Sequence, residues 1–149
     1  MSKSKDLQFV SIQFLLFGLY MWSGPFKFNI LSTIKNGSFV IVLIAIVIIV
    51  LSLIQLNKNL TPFPTPKENG YLIVNGLYRY VRHPIYFGII LFSFSFGIYS
   101  QSVWRLMIAF TLFILFIYKS SYEEQLLAQR YKEYILYKRK TKRLIPFVF

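Results

Sequence analysis

Three stretches of the 149-residue chain carry no formal charge: between Asp6 and Lys27, between Lys35 and Lys58, and between Arg82 and Arg105. Each holds twenty or more residues, enough for a helix to cross roughly 30 Å of hydrocarbon. A fourth apolar run, Leu106 to Tyr118, is shorter. Extended back to Ser102, it becomes a span if Arg105 snorkels to the headgroups. The pattern predicts an all-α, multi-pass membrane protein with about four transmembrane helices, near 7–26, 38–56, 84–100 and 102–119. One domain covers 1–149, with a loop at 57–83 and a cytoplasmic tail at 120–149. A composition 56% hydrophobic and 19% aromatic suits lipid better than water as the solvent.

The first span follows Lys3 and Lys5, as a signal peptide would. "LYMWSGPF" puts bulky aromatics where a cleavage site needs small residues, so a retained anchor is expected.

A net charge of +12 raises nucleic acid as a partner, and its distribution answers the question. With four spans both termini share a side, which carries all but Lys27, Lys35 and Arg105 of the 17 lysines and arginines. That is the positive-inside asymmetry. It predicts cytoplasmic N and C termini and no nucleic-acid partner. The absence of cysteine and the single histidine exclude disulfides, thiolate zinc sites, cysteine nucleophiles and paired-histidine metal motifs, so no metal is expected.

Between the second and third spans, "TPFPTP" at 61–66 predicts an extended, polyproline-like segment. A loop this long is usually functional. Pro84 stands where proline is favoured, in the first turn of the third helix. Helices three and four are joined by little more than "YSQS" and should form a tight hairpin. Beyond Tyr118 the spacing of Leu127, Tyr131, Tyr134 and Lys138 predicts an amphipathic helix continuing from the fourth span. The apolar ending "LIPFVF" predicts that the tail docks back on the protein or the membrane.

Three features converge at the cytoplasmic end of helices three and four. In Arg82-His83-Pro84-x-Tyr86, the lone imidazole is either an interfacial helix cap or part of a site. Glu123 and Glu124 leave a helix about 100° apart, so at most one should face a given pocket. Lys119, one turn earlier, reads either as a surface ion-pair partner of Glu123 or as a site cation. The tyrosines at 71, 78, 80, 86, 131, 134 and 137 suit a headgroup belt, and their faces also attract sulfonium or ammonium cations. The basic cluster at 138–143 suits anionic lipid.

Taken in order, Gly-x-Tyr-x-x-x-Arg-His-Pro-x-Tyr-x-Gly at 76–88, a helical hairpin, Glu-Glu-x-x-Leu at 123–127, Tyr-x-x-Tyr at 134–137 and Ile-Pro at 145–146 resemble one family. It comprises the integral membrane methyltransferases typified by isoprenylcysteine carboxyl methyltransferase and the phospholipid N-methyltransferases. The resemblance covers roughly residues 61 to 147. It implies transfer of a methyl group from S-adenosylmethionine to a lipophilic acceptor at the cytoplasmic membrane edge, either a prenylcysteine-like carboxylate or a lipid amine. By position, Gly70, Tyr71, Leu72 and Ile73 would pass backbone groups along the cofactor and Tyr78 would line its site. Arg82, His83, Pro84, Ile85 and Tyr86 would hold its nucleoside and amino-acid parts, and Glu123 a polar group. Glu124 is then left to the surface. Lys119 would meet a substrate carboxylate where the family commonly has arginine, keeping the charge but losing the bidentate fork. Lys132 stands where relatives often have glycine. An amine acceptor must lose a proton, in which His83 could assist. Two other readings stay open: an NADPH-dependent sterol-type membrane reductase, which shares Arg-His-Pro-x-Tyr, and a non-enzymatic membrane scaffold.

Overall fold

The computed structural model describes residues 2–149. Five α-helices follow one another: α1 (Ser2–Met21), α2 (Ser32–Leu56), α3 (Pro84–Tyr99), α4 (Val103–Arg130) and α5 (Tyr134–Lys140). No strand occurs among the described residues; two isolated bridges, Lys27 to Ser102 and Val81 to Lys142, are the only extended pairings. The chain is therefore all-α, as its charge-free runs require. Two helical stretches, Ser32–Asn59 and Val103–Arg130, are long and apolar enough to cross a membrane, and Pro84–Tyr99 is a shorter apolar helix.

The principal packing runs α2 on α3, α3 on α4 and α4 on α1. The α2–α3 contact is close because residue 88 is glycine. A Cβ there would stand 2.6 Å from Ile49 Cγ1 and 3.4 Å from the Ala45 carbonyl. Leu16, Tyr20, Ile90, Ile108, Leu112 and Phe116 form the core between α1, α3 and α4, joined by Leu144 from the tail. Inside it the Tyr20 hydroxyl donates to the Ser93 carbonyl at 2.7 Å, so its polar end is not left unpaired.

Arg105 has partners of its own at the end of α1. Its Nε and Nη2 donate to the carbonyls of Tyr20 and Met21, each at 3.3 Å, and its guanidinium lies over the Phe96 ring at 4.9 Å. The last carbonyls of α1 have no partner within their own helix, and Arg105 supplies one. Ser102 caps α4 by accepting from the Arg105 amide and donating to the Ser23 carbonyl.

The tail departs from expectation. α4 continues unbroken past the end of the apolar run, but it stops at Tyr131, whose backbone is extended (φ −115°, ψ 111°). A single helix to Lys138 would carry its carbonyls away from Arg82. The break turns α5 back, and Arg82 Nη1 donates to the carbonyls of Lys138 and Thr141. The closing residues then dock on the protein. The amides of Arg82 and His83 donate to the carbonyls of Lys142 and Arg143 at 2.9 and 3.2 Å, and Leu144 is fully buried.

Candidate functional site

The loop before α3 is held by side chains that the sequence did not single out. Asn59 clips residue 71 from both sides, donating Nδ2 to its carbonyl at 2.7 Å and accepting its amide at 3.3 Å. This fixes the Gly70–Ile73 backbone. Gln55 accepts the Leu77 amide at 2.9 Å, and Gly76 adopts φ +62° directly against that side chain. A left-handed turn is the conformation glycine takes at least cost, and it aims buried Tyr78 inward. The Tyr78 hydroxyl reaches the Ser52 carbonyl at 3.4 Å, and Tyr137 donates to the Tyr78 carbonyl at 2.6 Å.

Pro84 starts α3 and leaves His83 as its N-terminal cap residue, without a side-chain capping bond. The imidazole, 5% exposed, stacks on Tyr86 with ring centres 5.3 Å apart. Its two edges face two carboxylates: Nδ1 lies 3.7 Å from Glu123 Oε2 and Nε2 lies 3.6 Å from Glu124 Oε1. The acidic pair therefore does not divide into a site residue and a surface residue. Side chains leaving a helix about 100° apart can grip opposite edges of one ring that stands between them.

Glu124, 2% exposed, is the centre of a cationic cluster. It takes Arg82 Nε at 2.6 Å, Lys138 Nζ at 3.1 Å and Arg143 Nε at 3.6 Å. Burial opposes its charge, but the neighbouring His83 and Arg82 overcome that and hold its carboxyl down to about 2. Glu123 is less enclosed and accepts the Tyr86 hydroxyl at 2.8 Å. Lys119 makes no surface ion pair with it. Its ammonium is 1% exposed, donates to Gln13 Oε1 at 2.6 Å and the Pro62 carbonyl at 2.9 Å, and lies 5.4 Å from the Tyr86 ring centre.

Two cavities adjoin this cluster and share Tyr78, Arg82 and Glu123 in their walls. The outer one, about 100 Å³, runs between the proline-rich loop, the Gly70–Ile73 backbone and Tyr131, Tyr134 and Tyr137. The inner one, about 290 Å³, is lined by His83, Ile85, Tyr86, Lys119 and Gln13, with Leu53, Leu56 and Ile89 as its apolar wall. Neither alone reaches the roughly 300–1,000 Å³ of ligand sites. Side by side they form one bipartite site. Burial pushes the phenols of Tyr78, Tyr134 and Tyr137 up, at Tyr78 with help from the Glu123 charge, so they remain neutral at physiological pH. Tyr134 Oη and His83 Nε2 are buried with no hydrogen-bond partner.

Of the residues singled out from the sequence, Gly70, Tyr71, Leu72, Ile73, Tyr78, Arg82 and Glu123 line the outer cavity. His83, Ile85, Tyr86 and Lys119 line the inner one. Pro84 lines neither and faces a groove on the opposite side of the turn. A proline at the first helical position points where the helix start puts it, and the motif could not reveal which way. The prolines of 61–66 bend rather than extend, and Pro64 is buried against the site. Gln13 was missed, although an amide within an apolar helix is a signal in itself. Among the described residues no group of three or more His, Asp or Glu side chains is arranged to hold a metal ion.

The sequence matches the family model described as phospholipid methyltransferase over residues 34–134, more than half of the chain. That range runs from the start of α2 to the first residue of α5 and contains both glutamates and the whole Arg82–Tyr86 turn. Among curated proteins, none matches the chain.

Proposed function

Because the chain belongs to the phospholipid methyltransferase family, we propose that it transfers a methyl group from S-adenosylmethionine to a lipophilic acceptor at the cytoplasmic edge of a membrane. The observation that carries this reading is the pair of adjoining cavities, one tyrosine-lined toward the loops, the other more apolar and holding a buried lysine between helices. The residues present suit the cofactor. Tyr131, Tyr134 and Tyr137 offer neutral aromatic faces to a cation, Glu123 offers a carboxylate, and the unpartnered Tyr134 hydroxyl offers a donor. When bound, S-adenosylmethionine supplies an electrophilic methyl carbon; the protein supplies position and a dry pocket. Gly70 to Ile73, held by Asn59, present the backbone along that cavity, and Arg82, saturated by Glu124 and tail carbonyls, forms its floor.

Lys119 orients the acceptor. Its two partners, Gln13 and Pro62, are neutral, so its charge is uncompensated by direct contact and favours an anion in the inner cavity. The substrate class this suits best is a lipophilic carboxylate, which needs no general base. An amine acceptor is the second reading, favoured by Glu123 in the same wall: the nearby ammonium disfavours the protonated amine, and His83 stands ready to take its proton. α1 and α2 do not rank among the packed helix pairs, which leaves a lateral path to Gln13 and Leu53 for an acyl or prenyl chain. We place four spans around this site, with both termini cytoplasmic.

The test is methyl transfer from tritiated S-adenosylmethionine by the purified full chain in lipid nanodiscs. Organic-soluble label that mild base releases as volatile methanol identifies a carboxylate acceptor. Base-stable label identifies an amine. No transfer to either, by protein shown to be folded, would sink the proposal.

A further inference from the structure

A groove outside the site opens on the far face of the Tyr80–Pro84 turn. Ile48 of α2, Tyr80 and Val81 of the loop, Pro84 and Phe87 of α3, and Phe147 of the tail enclose about 260 Å³, and the wall is apolar throughout. The tail is shaped to make it. The amides of Leu144 and Ile145 fold back onto the Phe149 carbonyl at 2.8 and 2.7 Å, and Phe147 takes a left-handed backbone at φ +64°. A non-glycine residue in that conformation costs energy that other contacts must offset. Here it leaves Phe147 83% exposed while its ring still meets Tyr80 at 6.4 Å.

Two cations stand on the segments that form this apolar slot, outside its wall, and Arg79 lines a separate groove with Lys140 and Thr141. Arg79 precedes Tyr80, and Lys142 pairs across from Val81. Both side chains are exposed, and neither joins an ion pair among the described residues. Ile48 belongs to α2, whose Ile44, Val47 and Leu51 are about half exposed and carry no protein cover, as a lipid-facing helix requires. An apolar slot at such a helix, with exposed cations on the segments that form it, matches an acyl chain joined to an anionic headgroup. We propose that this groove binds one anionic phospholipid, its chain between Ile48, Phe87 and Phe147 and its phosphate at Arg79 and Lys142.

Such a lipid acts on the site. The Val81–Lys142 pairing leads directly into the bonds from the Arg82 and His83 amides to the tail, so whatever pins the tail steadies the two residues that meet the glutamates. The inference depends on the membrane embedding of α2 and α3 and not on methyl transfer.

Native mass spectrometry of the detergent-purified full chain tests it, with phosphatidylglycerol and phosphatidylcholine as the probes. One phosphatidylglycerol should be retained at least tenfold more tightly than phosphatidylcholine. Arg79→Gln with Lys142→Gln should weaken it by about fivefold for each cation removed. Lys3→Gln with Lys5→Gln should leave it unchanged. Phe147→Ser, at an exposed side chain, should weaken both lipids and gives an independent reading if the double variant does not fold. Hydrogen exchange at the Arg82 and His83 amides should slow when phosphatidylglycerol is added. Equal retention of the two lipids, retention unchanged in the variants, or occupation of the groove by a second copy of the chain would each overturn the proposal.

Discussion

Arg82 and Glu124, 42 residues apart in the chain, meet Nε to Oε1 at 2.6 Å with side chains 7% and 2% exposed. The pair ties the loop before α3 to the C-terminal part of α4. The Arg82 Nη1 then donates to the Lys138 carbonyl of α5 and to Thr141 of the tail. A helix spanning roughly 30 Å uses about 20 residues, so in a membrane α4 emerges just before Glu124 and the cluster lies outside the span.

Glu124→Gln should destabilise the fold, because it leaves Arg82 buried beside a neutral amide. Breaking a buried pair from one side costs about 3–5 kcal/mol, which a denaturation series on the wild type and variant measures. Acid should act in the same way. The folded-state carboxyl is held at about 2, below its ordinary value of 4.5, so the stabilisation is full above about 4.5 and is lost as pH falls toward about 2. A melting temperature flat across that window in the wild type would contradict the assignment.

Glu123→Gln should leave stability nearly unchanged and weaken S-adenosylhomocysteine binding by about ten- to hundredfold, the value of a hydrogen bond to a charged group. Glu123 lines both cavities and is partly exposed, and buried Lys119 keeps its bonds to Gln13 and the Pro62 carbonyl, so loss of the Glu123 charge breaks no direct lysine or arginine ion pair. Titration of the folded variant reads the affinity. An affinity equal to wild type would remove Glu123 from the cofactor site.

Gly88→Ala should cost about 1–3 kcal/mol through overpacking of α2 against α3. Its new methyl meets Ile49 Cγ1 at 2.6 Å, so the Ile49→Ala background should relieve most of that cost. Additive losses in the double mutant would place the strain elsewhere.

The helices were legible in the sequence wherever charge was absent, since a charge-free run of twenty residues has few ways to fold. The continuation of α4 past the apolar run was legible as well, since no proline or glycine stands between Tyr118 and Arg130. The break at Tyr131 could not be read locally. It satisfies Arg82, a residue far away in the chain, by turning the carbonyls of Lys138 and Thr141 toward it. Motif order named His83, Tyr86, Lys119 and Glu123, which the fold brings to one cavity wall. The same reading wrongly left Glu124 to the surface, because helical spacing fixes the angle between neighbours but not what stands between them. Asn59 and Gln55 carry no motif at all; their work is to hold a loop whose path only the fold determines.

The topology prediction is read by single cysteines at Asn36 and Lys67, both exposed. With four spans and cytoplasmic termini, an impermeant maleimide should label them from opposite faces of a sealed vesicle. Labelling from one face would remove a span between them and with it the cytoplasmic placement of the site.

The most direct measurement is calorimetry of the purified full chain with S-adenosylhomocysteine and, separately, with NADPH. The account predicts saturable 1:1 binding of S-adenosylhomocysteine, with a melting temperature that rises with its concentration by linkage, and no binding of NADPH. Binding of NADPH alone, or of neither ligand by folded protein, would contradict it.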